Sequence, residues 1–241
     1  MPVKGPEPPD RRLVVNADDF GRSASITAGI VGAHVHGIVT SASLMVRYPD
    51  AADAAAQARE HPALGLGLHF DLGEWEPVEE DWRATYVVVD LEDRDAVAGE
   101  MARQLERFRE LAGADPTHLD SHQHVHREEP VRSVGVAMAA VLGVPLRQSG
   151  AIRFCGDFYG QGRRGAAFPE GVSSTALVGL VNALLPGATE LCCHPATEAE
   201  DFTSYSAERP LELQALCDPD VRRAVRDAGV RLCNFSQLRA G

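Results

Sequence analysis

Short apolar runs that end in polar residues recur along the chain. Leu13-Val14-Val15-Asn16 leads into Ala17-Asp18-Asp19-Phe20-Gly21, and the run from Leu64 to Leu68 leads into His69-Phe70-Asp71. His118-Leu119 leads into a histidine cluster, and the stretch 189–193 leads into His194-Pro195. Runs of this length, apolar on both faces, predict buried strands whose C-terminal ends open into a polar site. Further strands are predicted at 38–46, 144–147 and 230–235, with a short one at 86–89. Between them the pattern changes to helical spacing. One helix begins near Ser25, with Ile26, Ile30 and Ala33 or His34 on one face and Gly37 at its end. An Ala-rich helix at 51–60 is capped by Asp50 and stopped by His61-Pro62. At 95–112 a stripe of Val97, Met101, Leu105, Phe108 and Leu111 marks an amphipathic helix ended by Gly113. Others follow at 131–142, from Ser173 or Ser174 to about 185, at 207–217 and at 219–228.

Strand–helix alternation repeated about seven times implies parallel strands joined by right-handed crossovers. The fold class is α/β. The expected form is one (β/α) barrel of seven to eight mostly parallel strands, distorted or incompletely closed, with a doubly wound open sheet as the alternative. The Pro-rich residues 1–11 read as a disordered leader and 12–241 as the barrel. Two stretches break the alternation. Residues 73–95 are acidic, carry Trp75 and Trp82, and read as an excursion or lid, their indoles serving as a sugar-stacking surface or as loop packing. Residues 149–173 read as a long loop, and long ordered loops tend to be functional.

Composition narrows the function. The 241 residues carry a net charge of -12 and no basic run, which speaks against a nucleic-acid partner. No glycine-rich phosphate loop follows any strand. The five cysteines include an adjacent pair but no CxxC, which fits a reducing compartment and a cytoplasmic location. No segment has the roughly 18 apolar residues of a membrane span.

The candidate chemistry lies at the strand ends, which gather on one face in parallel β/α folds. Four of the nine histidines fall within 117–126. If that stretch is extended, His122, His124 and His126 point to one side. Asp120 is placed to orient an imidazole from behind. His34 and His36, near a helix end, read as structural. Two histidines and one carboxylate leave open positions on a Zn²⁺-like ion, as a catalytic site requires. A second carboxylate can act as general base, and a further histidine can stabilise an oxyanion or protonate a leaving amine. Together these parts suit hydrolysis of an amide or ester. Arg47, just past a strand, can reach an anionic or hydroxyl-rich ligand.

The segments VVNADDFG at 14–21, IVTSASLMV at 38–46, LGLHF at 66–70, THLDSHQHVH at 117–126 and TELCCHP at 189–195 form an ordered set. With ELQALCDPDVRRAV at 212–225, the chain resembles the YdjC-like carbohydrate deacetylases, a family that includes chitooligosaccharide deacetylase and a hopanoid-biosynthesis branch. The resemblance implies a barrel-like fold, one divalent ion (Mg²⁺ or Zn²⁺) and removal of an N-acetyl group from an acetylated amino sugar or oligosaccharide. Carried over by motif, Asp19, His69 and His122 are the metal ligands, Asp18 the base, and His194 the assistant to the oxyanion or leaving group. His124 is an alternate ligand, and His126 and Arg47 are candidate substrate contacts. Relatives are often homodimers. His-Gln-His stands here where chitooligosaccharide deacetylase has three consecutive histidines. Arg47 replaces a small polar residue, and Ala196 follows His-Pro where Gly is usual. The alternatives are a metal-dependent amidase or esterase of a non-sugar substrate, and a non-catalytic sugar- or metal-binding protein.

Overall fold

The structure is a computed structural model that describes residues 10–78, 81–162 and 165–238. In chain order the elements are β1 (Arg11–Phe20), α1 (Ala24–His36), β2 (Ser41–Leu44), α2 (Ala51–Glu60), β3 (Gly65–Phe70), β4 (Gly73–Val78) and β5 (Asp81–Val87). Then come α3 (Arg94–Ala112), β6 (Leu119–Ser121), α4 (Val131–Leu142), β7 (Arg153–Cys155), α5 (Ser174–Asn182) and β8 (Gly187–Cys193). The chain closes with α6 (Glu208–Cys217), α7 (Pro219–Asp227), β9 (Val230–Leu232) and α8 (Phe235–Leu238).

Seven strands form one parallel sheet in the order β6-β3-β2-β1-β8-β7, with β9 also paired to β1. The central strand β1 carries β8 along one side, and β9 then β2 along the other. Beyond β6 the sheet is extended by a single parallel bridge from Leu119 to Leu146. Among the described residues no pairing joins that segment to β7, so the curled sheet is a half-barrel, as the alternation of elements predicted. The two faces of β1 differ. Leu13, Val15, Ala17 and Phe20 are fully buried in the main apolar core beneath the helices. Val14 faces inward, where it meets Cys233 and Phe235 and plugs the base of the barrel. Above that plug the interior is polar, with Asn16, Asp18, Asp120, Arg147 and Glu190 all buried.

Local details depart from the sequence pattern for physical reasons. β1 begins at Arg11, hydrogen-bonded into the sheet, so the expected leader overruns by at least that residue; residues 1–9 lie outside those described. Helix α1 is capped by Ser23, whose Oγ accepts from Ile26 N, so it starts before Ser25. Gly37 ends it without a left-handed turn; a Cβ there would stand 2.5 Å from the carbonyl oxygens of Ala33 and Leu216, so close packing explains the glycine. Asp50 makes no side-chain cap. Gly113 and Gly143 do take the left-handed conformation at the ends of α3 and α4. The strand expected at 38–46 is regular only over Ser41–Leu44, because the register with β1 breaks between Ala17 and Phe20. The strand expected at 144–147 shrinks to the bridge at Leu146. The acidic excursion is an antiparallel hairpin, β4–β5, whose second strand is mostly exposed on both faces and so shows no period. No helix among the described residues is long and apolar enough to cross a membrane.

Candidate active site

The parallel strand ends converge on a cavity of about 370 Å³. Its floor holds Asp18, Asp19, His69, His122, Cys192, His194 and Arg209. Adjacent residues of a regular strand face opposite sides of a sheet. Asp18 and Asp19 reach the same cavity because Asp19 takes a left-handed φ of 67° at the register break. Aspartate tolerates that conformation better than a branched residue does.

Asp19 Oδ1 lies 3.5 Å from His69 Nε2 and 3.2 Å from His122 Nδ1. An ion with bonds of about 2.0–2.2 Å and tetrahedral angles needs neighbouring oxygen and nitrogen ligands about 3.3 Å apart. The two measured separations bracket that value. Oδ1 is buried and has no hydrogen-bond partner, while Oδ2 of the same carboxylate accepts from Arg209 Nη2 at 2.5 Å. The donor set therefore fits a divalent ion. His69 Nδ1–H donates to Asp120 Oδ1 at 2.7 Å, which orients Nε2 toward Asp19. Burial disfavours a charged His69, but Asp120 and then Asp18 push its pKa up to about 10 without the ion. Burial likewise opposes ionised Asp19; Arg209, followed by His122 and His69, holds it well below the usual carboxylate range.

Asp18 sits in a different field. Arg147 donates to both of its oxygens, at 2.6 and 2.7 Å. Asn16 Nδ2 adds a bond of 2.8 Å to Oδ1. Burial would raise the Asp18 pKa, and the guanidinium outweighs it, so Asp18 stays ionised. His194 Nε2 is 4.0 Å from Asp18 Oδ2. Its backbone N–H donates to Glu212 Oε2, and its ring stands edge-on to Tyr205 and Tyr159, themselves stacked at 4.4 Å.

The histidine cluster is not extended. β6 ends at Ser121, and residues His122–Arg127 wind into a 3₁₀ turn with positive φ at Gln123 and His124. The three imidazoles therefore diverge. His122 joins Asp19 and His69. His124 lines the cavity edge-on to Phe154 and makes no part of that cluster; burial, then Arg147, lowers its pKa to about 3. His126 is buried, is not among the residues lining this cavity, and bonds Ser121 Oγ at 2.7 Å. Arg47 also stands outside the cavity wall, bound to Asp71 at 2.6 Å. Trp75 folds over Gly73 in the hairpin, whereas Trp82 is exposed and lines the cavity. The 149–173 stretch contributes Phe154, Phe158, Tyr159 and Gln161 to the wall.

Sequence pattern gave no role to Arg147, Arg209 or the Arg22–Glu74 pair, which closes at 2.7 and 2.8 Å beside His122. Each is an isolated charge whose partners are distant in the chain. An arginine in an otherwise apolar segment, as in Val144-Pro145-Leu146-Arg147, was the one available signal.

A family model described as YdjC-like protein matches residues 12–227. A carbohydrate deacetylase of Geobacillus stearothermophilus is 34% identical over 251 residues, spanning 95% of this chain and 98% of its own. A chitooligosaccharide deacetylase of Salmonella typhimurium is 33% identical, spanning 95% of this chain and all of its own. Among solved structures, a protein of Enterococcus faecalis V583 with a suggested role in cellobiose-phosphate cleavage superposes with a TM-score of 0.78 at 24% identity, over 95% of this chain and 99% of that one.

Proposed function

The chain belongs to the YdjC-like family, and from that premise we propose that it is a metal-dependent hydrolase removing an N-acetyl group from an acetylated amino sugar or oligosaccharide. The observation that carries this reading is the unpartnered Asp19 Oδ1, set 3.5 and 3.2 Å from two imidazole nitrogens at the floor of a cavity.

In this reading Asp19, His69 and His122 hold one divalent ion. Two nitrogens and one oxygen suit Zn²⁺, Co²⁺ or Ni²⁺ better than Mg²⁺, which prefers oxygen. Such an ion supplies Lewis acidity toward a carbonyl oxygen. Asp18, ionised and aimed by Arg147, takes a proton from the attacking water. His194, 4.0 Å away, hydrogen-bonds the developing oxyanion or returns a proton to the leaving nitrogen. The amide C–N bond breaks, and acetate and a free amine leave. Trp82, Phe154 and Tyr159 offer aromatic faces to sugar rings. Five unpaired thiols support a reducing, cytoplasmic setting.

The test is acetate release from a panel of acetylated saccharides, with chelator and metal add-back. Release that stops with chelator and returns with metal is the expected result. Saccharide binding with no release under any metal would favour a binding protein instead.

A further inference from the structure

The inward face of β8 carries Glu190 and Cys192, His194 follows directly after its end, and the pairing with β1 sets Cys192 opposite Asn16. Cys192 is thereby brought against the next inward residue of β1, with Sγ 3.3 Å from Asp18 Oδ2. His194 Nε2 is 3.9 Å from the same sulfur and 4.0 Å from the same oxygen. One oxygen, one sulfur and one nitrogen thus face one another at the cavity floor.

A tetrahedral Zn²⁺ with bonds of about 2.0 Å to oxygen, 2.3 Å to sulfur and 2.05 Å to nitrogen spaces these pairs at about 3.5, 3.3 and 3.6 Å for O–S, O–N and S–N. The observed 3.3, 4.0 and 3.9 Å lie within about 0.2, 0.7 and 0.3 Å of these values, so a small turn of the His194 ring closes the site. We propose that Asp18, Cys192 and His194 form a second cation site, selective for a thiophilic divalent ion and distinct from the Asp19, His69 and His122 set.

Binding exchanges one bond for another. The Cys192 S–H proton leaves to solvent as the sulfur–metal bond forms. The lone pair of Asp18 Oδ2 that accepted the S–H is then free for the ion, while Arg147 keeps its own bond to that oxygen. Sulfur is a soft ligand, so only an ion with strong affinity for thiolate displaces the S–H proton at this buried position. Zn²⁺, Co²⁺ and Cd²⁺ meet that condition and Mg²⁺ does not. An ion here occupies both groups assigned to proton transfer, so excess Zn²⁺ inhibits. That consequence rests on the roles given above to Asp18 and His194; the site itself does not.

The experiment is a Co²⁺ titration of the metal-stripped full chain, read by the near-ultraviolet sulfur-to-cobalt charge-transfer band. Two equivalents are expected to bind, one of them with the band. The band is expected to vanish in both Cys192→Ser and Cys192→Ala, checked for folding by circular dichroism, and to persist in His69→Ala, which disables only the other set. No band in the wild-type protein at saturating Co²⁺ overturns the site, as does a band that survives both Cys192 variants. In parallel, the Zn²⁺ concentration that halves turnover is expected to rise about tenfold or more in Cys192→Ser. A sulfur band with turnover untouched at the same loading keeps the site and overturns the assignment of Asp18 and His194.

Discussion

Arg147 clasps both oxygens of Asp18 from a position with no solvent exposure, and the same guanidinium reaches Asp120 at 2.8 Å and Glu190 at 2.7 Å. One cation therefore pairs with three buried acidic side chains inside the half-barrel. Replacing it with methionine keeps the length and removes the charge. Breaking a buried pair from one side costs about 3–5 kcal/mol, because the partner charges remain. Arg147→Met is expected to lower the melting temperature by roughly 6–20 °C for a chain of this size. Arg147→Lys is expected to recover only part of the loss, since an ammonium cannot form the two-pronged grip. Thermal unfolding followed by circular dichroism decides; a melting point within a degree of wild type would show that Arg147 is not the keystone of this cluster.

Asp18 and His69 are expected to fail in different ways. Asp18→Asn keeps the shape but cannot take a proton, and general base catalysis is worth about 10²–10⁴-fold. Turnover is expected to fall by that factor while the ion of the Asp19, His69 and His122 set is retained. His69→Ala removes a nitrogen from the Asp19, His69 and His122 set and is expected to lose that ion and turnover together. Elemental analysis after loading one equivalent of metal per chain, beside acetate release, separates the two, and an Asp18→Asn protein with full turnover would remove Asp18 from the chemistry.

The strand-end residues were legible because they need only local order. A polar residue after an apolar run lies at a strand's C-terminal end, and parallel topology gathers such ends; Asp18, Asp19, His69 and His194 follow from that rule. The histidine cluster departs from its period-two pattern because that period holds only in an extended chain. Ser121 Oγ accepts His126 N–H at 3.0 Å and draws the backbone into a turn, which only side-chain chemistry five residues away specifies. Arg47 and Arg147 look alike in sequence, each following an apolar run. Arg47 falls beside Asp71 outside the cavity, and Arg147 beneath Asp18, 129 residues distant in the chain. No local pattern carries that difference.

Metal loading is expected to release protons. His69 is pushed up to about 10 by Asp120 and Asp18 against its burial, and His122 is also raised, by Asp19 and Glu74 against its burial. His69 is therefore imidazolium in the metal-free protein at neutral pH. Charged His69 stabilises that state fully below its unfolded pKa of about 6.5, and the contribution is lost as pH rises through about 10. An ion must displace the His69 proton, so apparent affinity rises with pH across the neutral range. Titration calorimetry in buffers of different ionisation enthalpy is expected to show between one and two protons released per ion. A proton count of zero would contradict the charged-histidine picture.

Gly67 is fixed by its neighbour His118. A Cβ at Gly67 would stand 2.2 Å from the His118 ring, which is buried and stacked on Phe235 at 3.9 Å. Burial also lowers the His118 pKa to about 4, so the ring is neutral at neutral pH. Gly67→Ala is expected to cost about 1–3 kcal/mol through overpacking. Urea unfolding measures it, and a midpoint equal to wild type would mean that the plug repacks freely.

Trp82 is expected to act on binding and leave chemistry alone. It stands on β5 opposite Pro77 of β4, and both line the cavity; Trp82 is 61% exposed, unlike the buried floor. A large indole kept in water at a cavity mouth leaves its face free for a ligand. Asp18 lies on β1 and His194 just past β8, and Trp82 and Pro77 of the hairpin line the same cavity, so a sugar with its acetamido group at Asp18 and His194 has the hairpin available to its outer rings. An aromatic face contributes about 0.5–1.5 kcal/mol beyond buried area. That converts to a roughly 2- to 12-fold rise in KM for Trp82→Ala, at tenfold per 1.4 kcal/mol. The rise is expected for acetylated oligosaccharides and is expected to be small for the monosaccharide, which leaves the mouth empty, with kcat unchanged in both cases. Steady-state kinetics on a series of increasing chain length provides the measurement. An equal KM change at every length would locate the effect at the floor, and a fall in kcat would show that the hairpin shapes the reacting groups.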